Sequence, residues 1–224
     1  MPLRKTVFAN NEIYHVFNRS SGSIPIFYNK RACKRFILGM RYYQNVKIPT
    51  KLSKFNKLAV TKRNEIFDQL YDKRVFWVEV IAYCLMPTHF HFVLKQRVDG
   101  GVKEYVRLIS NSYSHYYNTK NDRNGSLFGG RFKAILIEND YQLLHVVRYV
   151  HLNPLTSYVV EDLKELTDYE FSSFPEYLGK SQHNICEKKI VTSHFKSLGD
   201  YRKFVFNQAE YQQSLERIKH LTFE

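Results

Sequence analysis

An α+β fold is what this sequence predicts, on three observations. Alternating apolar and polar residues mark short strands. Two longer segments carry apolar residues at helical spacing. And these segments follow one another in the order strand, helix, strand, strand, helix, strand. That order is the split β-α-β-β-α-β arrangement, ferredoxin-like or RRM-like, with an antiparallel four-stranded sheet. It is expected to carry helices on one face, leave the other face free, and end in added C-terminal helices.

Each element has its own justification. Residues 13–18 (IYHVFN) alternate as a short strand should. Residues 29–46 place Phe36, Ile37, Met40 and Tyr43 on one helical face. The following stretch, 47–74, carries eight Lys and Arg against three acids, with a helical pattern only near Asn64–Tyr71. A charge run of this kind is a solvated face or an arm that grips a polyanion. Residues 75–85 (VFWVEVIAYCL) are β-branched and aromatic, as a buried strand requires. Met86-Pro87-Thr88 makes the turn, since proline cannot donate to a central ladder. The return strand is 89–95 (HFHFVLK), and residues 101–118 form the second helix, with Tyr105, Leu108, Ile109, Ser112 and Tyr116 in one stripe. A fourth strand is expected over 127–138, bent at Gly129-Gly130. Asp140 is the expected N-cap of a helix over 141–152 that Pro154 helps to end. This divides the chain into a main domain over 1–155, holding the basic segment, and a helical extension over 156–224 packed on it.

Composition narrows the partner. The 224 residues hold 34 Lys and Arg against 21 Asp and Glu, a net charge of +13. That excess favours a polyanion, either nucleic acid or an anionic membrane surface. Aromatics make up 16% of the chain, and unpaired bases stack on such rings. Cys33, Cys84 and Cys186 are odd in number and widely spaced, which makes neither a disulfide framework nor a zinc knuckle. The N-terminus has no apolar leader, and no run reaches the length of a membrane span. A cytoplasmic protein is expected.

Two segments carry possible chemistry. In His89-Phe90-His91 the two imidazoles leave one face of the strand, because side chains two apart point the same way. They can converge on one metal ion that gains a third ligand elsewhere, or they are two polar residues on a wet strand. On the last helix Gln142, His145, Tyr149 and Asn153 share a narrow stripe opposite Leu143, Leu144, Val147 and Val150. A tyrosine one turn from an amide can place a nucleophile beside a metal ligand. It can equally be one of 17 tyrosines doing ordinary packing.

Taken together, AYCLMPTHFHFVL (82–94), NGSLFGGRFKAILIE (124–138) and LLHVVRYVHLNPL (143–155) resemble the HUH single-strand transposases that use one catalytic tyrosine. The similarity is strongest to their REP-associated tyrosine transposase branch. IYHVFNRSSGSIPIF (13–27) and YEFSSFPEYLG (169–179) fit the same branch, so the likeness covers nearly all of residues 12–180. Three departures stand out: Thr88 in place of Asn, Phe171 in place of Trp, and TSYVV at 156–160. The basic segment 47–74 reads as an insertion relative to shorter relatives.

The resemblance implies roles. His89 and His91 would be metal ligands, Asn153 the third protein ligand, and Tyr149 the nucleophile. The metal would be Mg²⁺ or Mn²⁺. Attack on a phosphodiester would leave a 5′-phosphotyrosine and a free 3′-hydroxyl, so a second strand could be joined without ATP. Arg19, Arg131 and Lys133 are the expected DNA contacts, with Arg148 and His145 beside them on the tyrosine helix. The DNA would be single-stranded or hairpin-forming, and the protein a monomer or a homodimer whose chains share sites. Two other classes fit the same fold: a non-catalytic RRM-like module that binds nucleic acid, and a metal-dependent phosphodiesterase in which water attacks.

Overall fold

A computed structural model describes residues 6–209 except 74 and 182, with side chains left aside at 71–73. Four strands, β1 (Ile13–Arg19), β2 (Val78–Met86), β3 (His89–Gln96) and β4 (Lys133–Ile137), form one sheet in the order β2-β3-β1-β4. All neighbouring pairs are antiparallel. This is the expected split arrangement, with the first strand set between the third and the fourth. β4 is shorter than the sequence suggested: Phe128 makes only an isolated bridge to Ser20, and the chain bends through Gly129-Gly130 before pairing resumes at Lys133.

Nine helices lie among the described residues: α1 (Lys30–Tyr43), α2 (Leu52–Phe55), α3 (Val60–Lys73), α4 (Gly101–Lys120), α5 (Asp140–Thr156), α6 (Leu163–Asp168), α7 (Phe174–Tyr177), α8 (Lys189–Thr192) and α9 (Leu198–Phe206). The Asn29 side chain caps α1 by accepting from the Ala32 amide. At α5 the cap is Asn139, which accepts from the Gln142 amide, and not Asp140. Asp140 sits one residue inside, where its charge complements the positive end of the helix. Pro154 does not end α5 either. The helix continues to Thr156, because proline removes only one donor and the buried Leu152 and Leu155 hold both sides of it in place.

Two cores flank the sheet. Phe90, Phe92, Leu94, Tyr14 and Val16 face α1 and α4. Ile81, Cys84, Met86 and Val93 face the other way, against Leu143, Val147 and Val150 of α5 and residues of the later helices. The expectation that one face would be free is therefore corrected. α5 roofs that face chiefly over β2, and its β1–β4 side stays open, with Ile135 and Lys133 exposed.

The outer edge of β2 is covered as well. Backbone bonds from Leu85 to Phe171, Ser173 to Tyr83 and Glu187 to Val80 occupy it, and this protects an edge strand from stray pairing. The expected C-terminal extension thus begins as part of the fold, and its residues 210–224 lie outside the described residues. The insertion is also packed. Leu52 and Phe55 are fully buried and Ile66 and Leu70 nearly so, all within the α1–α4 core.

Candidate active site

Period-two alternation along β3 sends Phe90 and Phe92 into the first core and His89 and His91 to the half-open face. Residues paired directly across a ladder share a face. His91 pairs with Phe17 and His89 with Arg19, and Phe17 pairs on its other side with Lys133. Arg19, His89, His91 and Lys133 therefore form one patch. His15, two residues before Phe17, joins it.

His15 is the member of this patch that the sequence reading missed. Its Nε2 lies 3.0 Å from Nδ1 of His91, and the two rings stack at 5.2 Å. On the other side, Nδ1 of His89 lies 3.0 Å from the Thr88 hydroxyl. The His89 and His91 rings stand at 81° with centroids 5.1 Å apart. In both residues the Nδ1 position is thus engaged. If each Nδ1 carries the proton, each Nε2 presents a lone pair. A metal-binding histidine is held this way, through a bond from its other nitrogen.

Burial reinforces that state. It pushes the pKa of His15 down to about 4. Burial, with the positive charge of Arg19 added, brings His89 to about 4 as well. His91 falls well below the usual histidine value through burial first, then the neighbouring histidines and Arg19. All three are neutral at pH 7, the form in which imidazole ligates. The two free Nε2 positions therefore suit a divalent ion. Among the described residues no group of three His, Cys, Asp or Glu could hold a metal ion.

The tyrosine comes from α5 of the same chain. Tyr149 meets His91 edge-on, with centroids 5.6 Å apart and planes at 90°, and lies 6.0 Å from His15. Of its predicted helical stripe, Tyr149 is the member in ring contact with these histidines. Gln142 accepts from the Glu138 amide, and His145 packs on Tyr141 at 4.2 Å. Asn153 is buried, and its amide donates to the Tyr149 carbonyl at 3.1 Å, a bond within the helix that engages neither histidine.

The expected DNA contacts divide. All three of Arg19, Arg131 and Lys133 are exposed; Arg19 and Lys133 lie on the histidine face, whereas Arg131 lines a cleft with Asn18 and residues of α4. Arg148 is only 7% exposed. Its guanidinium lies 4.4 Å over the Phe204 ring and bonds His145 at 2.8 Å. That placement joins α5 to α9.

Comparison with known sequences decides the family. The profile described as "Transposase IS200 like" matches residues 42–153, half of the chain. The chain belongs to the IS200-like transposase family. The match spans the histidine pair, Tyr149 and Asn153, while His15 on β1 lies before it. No curated protein sequence matches significantly. Among solved structures, that of a REP-associated tyrosine transposase bound to a REP hairpin shares the fold at a TM-score of 0.55 and 13% identity. The alignment covers 84% of this chain and 98% of that one. The fold and family expected from the motifs are those found.

Proposed function

We propose that this transposase cleaves and rejoins single-stranded DNA beside a hairpin, with Tyr149 as nucleophile and a divalent ion held by His89 and His91. The reading rests on one observation above the rest: Tyr149 packs edge-on against His91 within a single chain of transposase family. The hairpin preference is suggested by the relative whose solved structure contains one.

A phosphodiester is anionic and repels nucleophiles. Mg²⁺ or Mn²⁺, when bound, would neutralise charge on a non-bridging oxygen and orient the phosphorus. The protein's residues do the rest. His15 and Thr88 fix the orientations of His91 and His89. Arg19 and Lys133, on the same face, attract the strand. Asn153 is the proposed third ligand, which requires its side-chain oxygen to reach the ion while its amide keeps the bond to Tyr149. The phenolic oxygen of Tyr149 forms a bond to phosphorus as the bond from phosphorus to the 3′-oxygen breaks. The phenol loses its proton and the departing oxygen gains one, leaving a 5′-phosphotyrosine and a 3′-hydroxyl. Attack by another 3′-hydroxyl reverses the exchange, so no external energy source is needed. Tyr149 and both histidines belong to one chain, which supports a site complete within each monomer.

The RNA-binding alternative needs exposed aromatics on the central strands, but Phe90 and Phe92 are fully buried and the half-buried Phe17 stacks on His91. No helix among the described residues is long and apolar enough to cross a membrane. The test is adduct trapping on labelled hairpin DNA with Mn²⁺ or Mg²⁺, read on a denaturing gel. Wild type should form a covalent complex and Tyr149→Phe none. An adduct with the Phe variant would move the nucleophile to another tyrosine. The next choice is Tyr141, which is 74% exposed, since Tyr117 is buried and donates to the Pro25 carbonyl. Cleavage without any adduct would make water the attacking group.

A further inference from the structure

On the far side of the sheet, α1 and α4 flank a groove of about 1020 Å³ that the proposed chemistry does not use. The helices present facing stripes to it. Arg31, Arg35 and Leu38 come from α1 at helical spacing, and Leu108, Ser112 and Tyr116 from α4. The end wall is the insertion, through Ile48, Lys51 and Asn56. The lining holds no Asp or Glu.

Its cations are unevenly compensated. Lys34 pairs with Glu170 at 3.5 Å, and Glu104 grips Arg107. Among the described residues no carboxylate forms an ion pair with Arg31, Arg35, Lys51 or Lys120. Arg35 is the most exceptional of them. Among the described residues its guanidinium bonds the Ser112 hydroxyl, at 3.3 Å, and lies 5.5 Å over the Tyr116 ring. Burial lowers its pKa, against smaller opposing effects of Tyr43, Tyr116 and Tyr113. Lys120 lies over the rings of Tyr28 and Tyr116, and its bond to Tyr28 is the main cause that raises its pKa. Below them the Tyr116 hydroxyl and the Asn56 side-chain oxygen are shut off from water with no hydrogen-bond partner among the described residues.

We infer that this groove is a second nucleic-acid site, which holds a single-stranded segment with phosphates on the rim cations and bases on the apolar, aromatic floor. That combination of a cationic track and ring platforms is how unpaired strands are held without sequence readout. The α4 stripe from Arg107 to Lys120 runs roughly 20 Å at 1.5 Å per residue, room for a short run of nucleotides. A route to the histidines exists. A neighbouring cleft on the same side of the sheet shares Arg107 and Asn111 with the groove and runs along α4 to Asn18, whose chain neighbour Arg19 turns to the histidine face. DNA flanking the cleaved bond can therefore pass around α4 into the groove. The inference rests on the nucleic-acid reading of the protein, not on the tyrosine step.

The test uses the full chain and a fluorescent oligodeoxythymidine of about 15 nucleotides, within the usual site sizes of such grooves. Affinity is read by anisotropy at several salt concentrations. The groove variant is Arg31→Gln/Lys51→Gln/Lys120→Gln, all three side chains being exposed. A charge-matched control, Lys54→Gln/Lys57→Gln/Lys62→Gln, removes as much charge from the insertion outside the groove. The groove variant should lose ~10-fold or more in affinity, and its salt slope should become shallower by about 2, at roughly 0.7 per phosphate contact. The control should keep its slope. Equal losses in both variants, no loss in the groove variant, or equal displacement by a duplex competitor would each overturn the inference. Adduct trapping separates the two proposals. A wild-type adduct with an unaffected groove variant sinks the groove alone, and a groove effect without any adduct sinks the tyrosine chemistry alone.

Discussion

Acid should unfold this protein partly through one histidine that takes no part in the proposed chemistry. His151, two residues beyond Tyr149, is completely buried between α5, α7 and α9. Its Nε2 lies 2.7 Å from the Ser173 hydroxyl, which receives the Tyr83 amide and donates to the Tyr83 carbonyl. Its Nδ1 lies 2.6 Å from the Tyr201 hydroxyl. The network closes with a neutral ring, Nε2 donating to Ser173 and Nδ1 accepting from Tyr201. A second ring proton would face the Tyr201 hydroxyl with donor against donor. Burial pushes the pKa down to about 3, against 6.5 for an ordinary histidine. The unfolded chain takes up the proton below pH 6.5 and the native chain does not. Stability is therefore complete above that value and falls as pH drops from 6.5 towards about 3. Two pH units of uptake by the unfolded state alone, down to pH 4.5, amount to roughly 2.7 kcal/mol at 1.36 kcal/mol per unit. The measurement is urea unfolding at pH 7 and pH 4.5 for wild type and His151→Gln. Contributions from the other histidines are common to both proteins and cancel. The Gln variant should start less stable but lose about 2–3 kcal/mol less between the two pH values. Equal losses in the two proteins would refute the reasoning.

His15→Ala should weaken Mn²⁺ binding roughly 10- to 100-fold in a calorimetric titration, because His91 loses the bond that orients it; unchanged affinity would remove His15 from the site. Gly101→Ala should cost about 1–3 kcal/mol in denaturant unfolding, since a Cβ there would sit 2.2 Å from the Trp77 carbonyl oxygen. Phe55→Ala should cost about 3–5 kcal/mol if the insertion is part of the core, whereas a loss below about 0.5 kcal/mol would return it to the class of solvated surface segments.

Much of the fold was legible because each strand announces itself by its neighbours. The coverage of the second face was legible too, though the reading passed over its signal. Residues 78–86 are apolar at nearly every position, with no alternation, and a strand of that kind is buried on both sides. Once α1 and α4 occupy one face, the apolar side of α5 has only the other to cover. β3 shows the opposite signature: its second face carries His89 and His91, too polar to be sealed without partners. The contrast between the two strands marks where α5 lies and where the opening remains.

The insertion misled for a different reason. Its eight basic residues against three acids dominate any count by composition. Its fully or nearly buried anchors are Leu52, Phe55, Ile66 and Leu70, divided between a one-turn helix and a separate 14-residue helix. Periodicity over a long window averages such a pattern away. Charge and anchoring are nevertheless compatible on one segment, since the helices bury one side and keep their lysines on the other.

The site itself was half legible, and the hidden half follows from strand order. The rule that side chains two apart share a face applies within a strand, so it paired His89 with His91 and said nothing of His15. That histidine also alternates correctly with Phe17 and Arg19, but its reach to His91 exists only because β1 lies between β3 and β4. The same limit applies on α5. Arg148 and Tyr149 are adjacent in sequence and 100° apart around the helix, so one turns to the sheet and the other to α9. Nothing local to RYVHLNP says which neighbour each direction meets. A tyrosine becomes a candidate nucleophile, and an arginine beside it a structural bolt, only when the sheet and the C-terminal helices have taken their places on either side of that one helix.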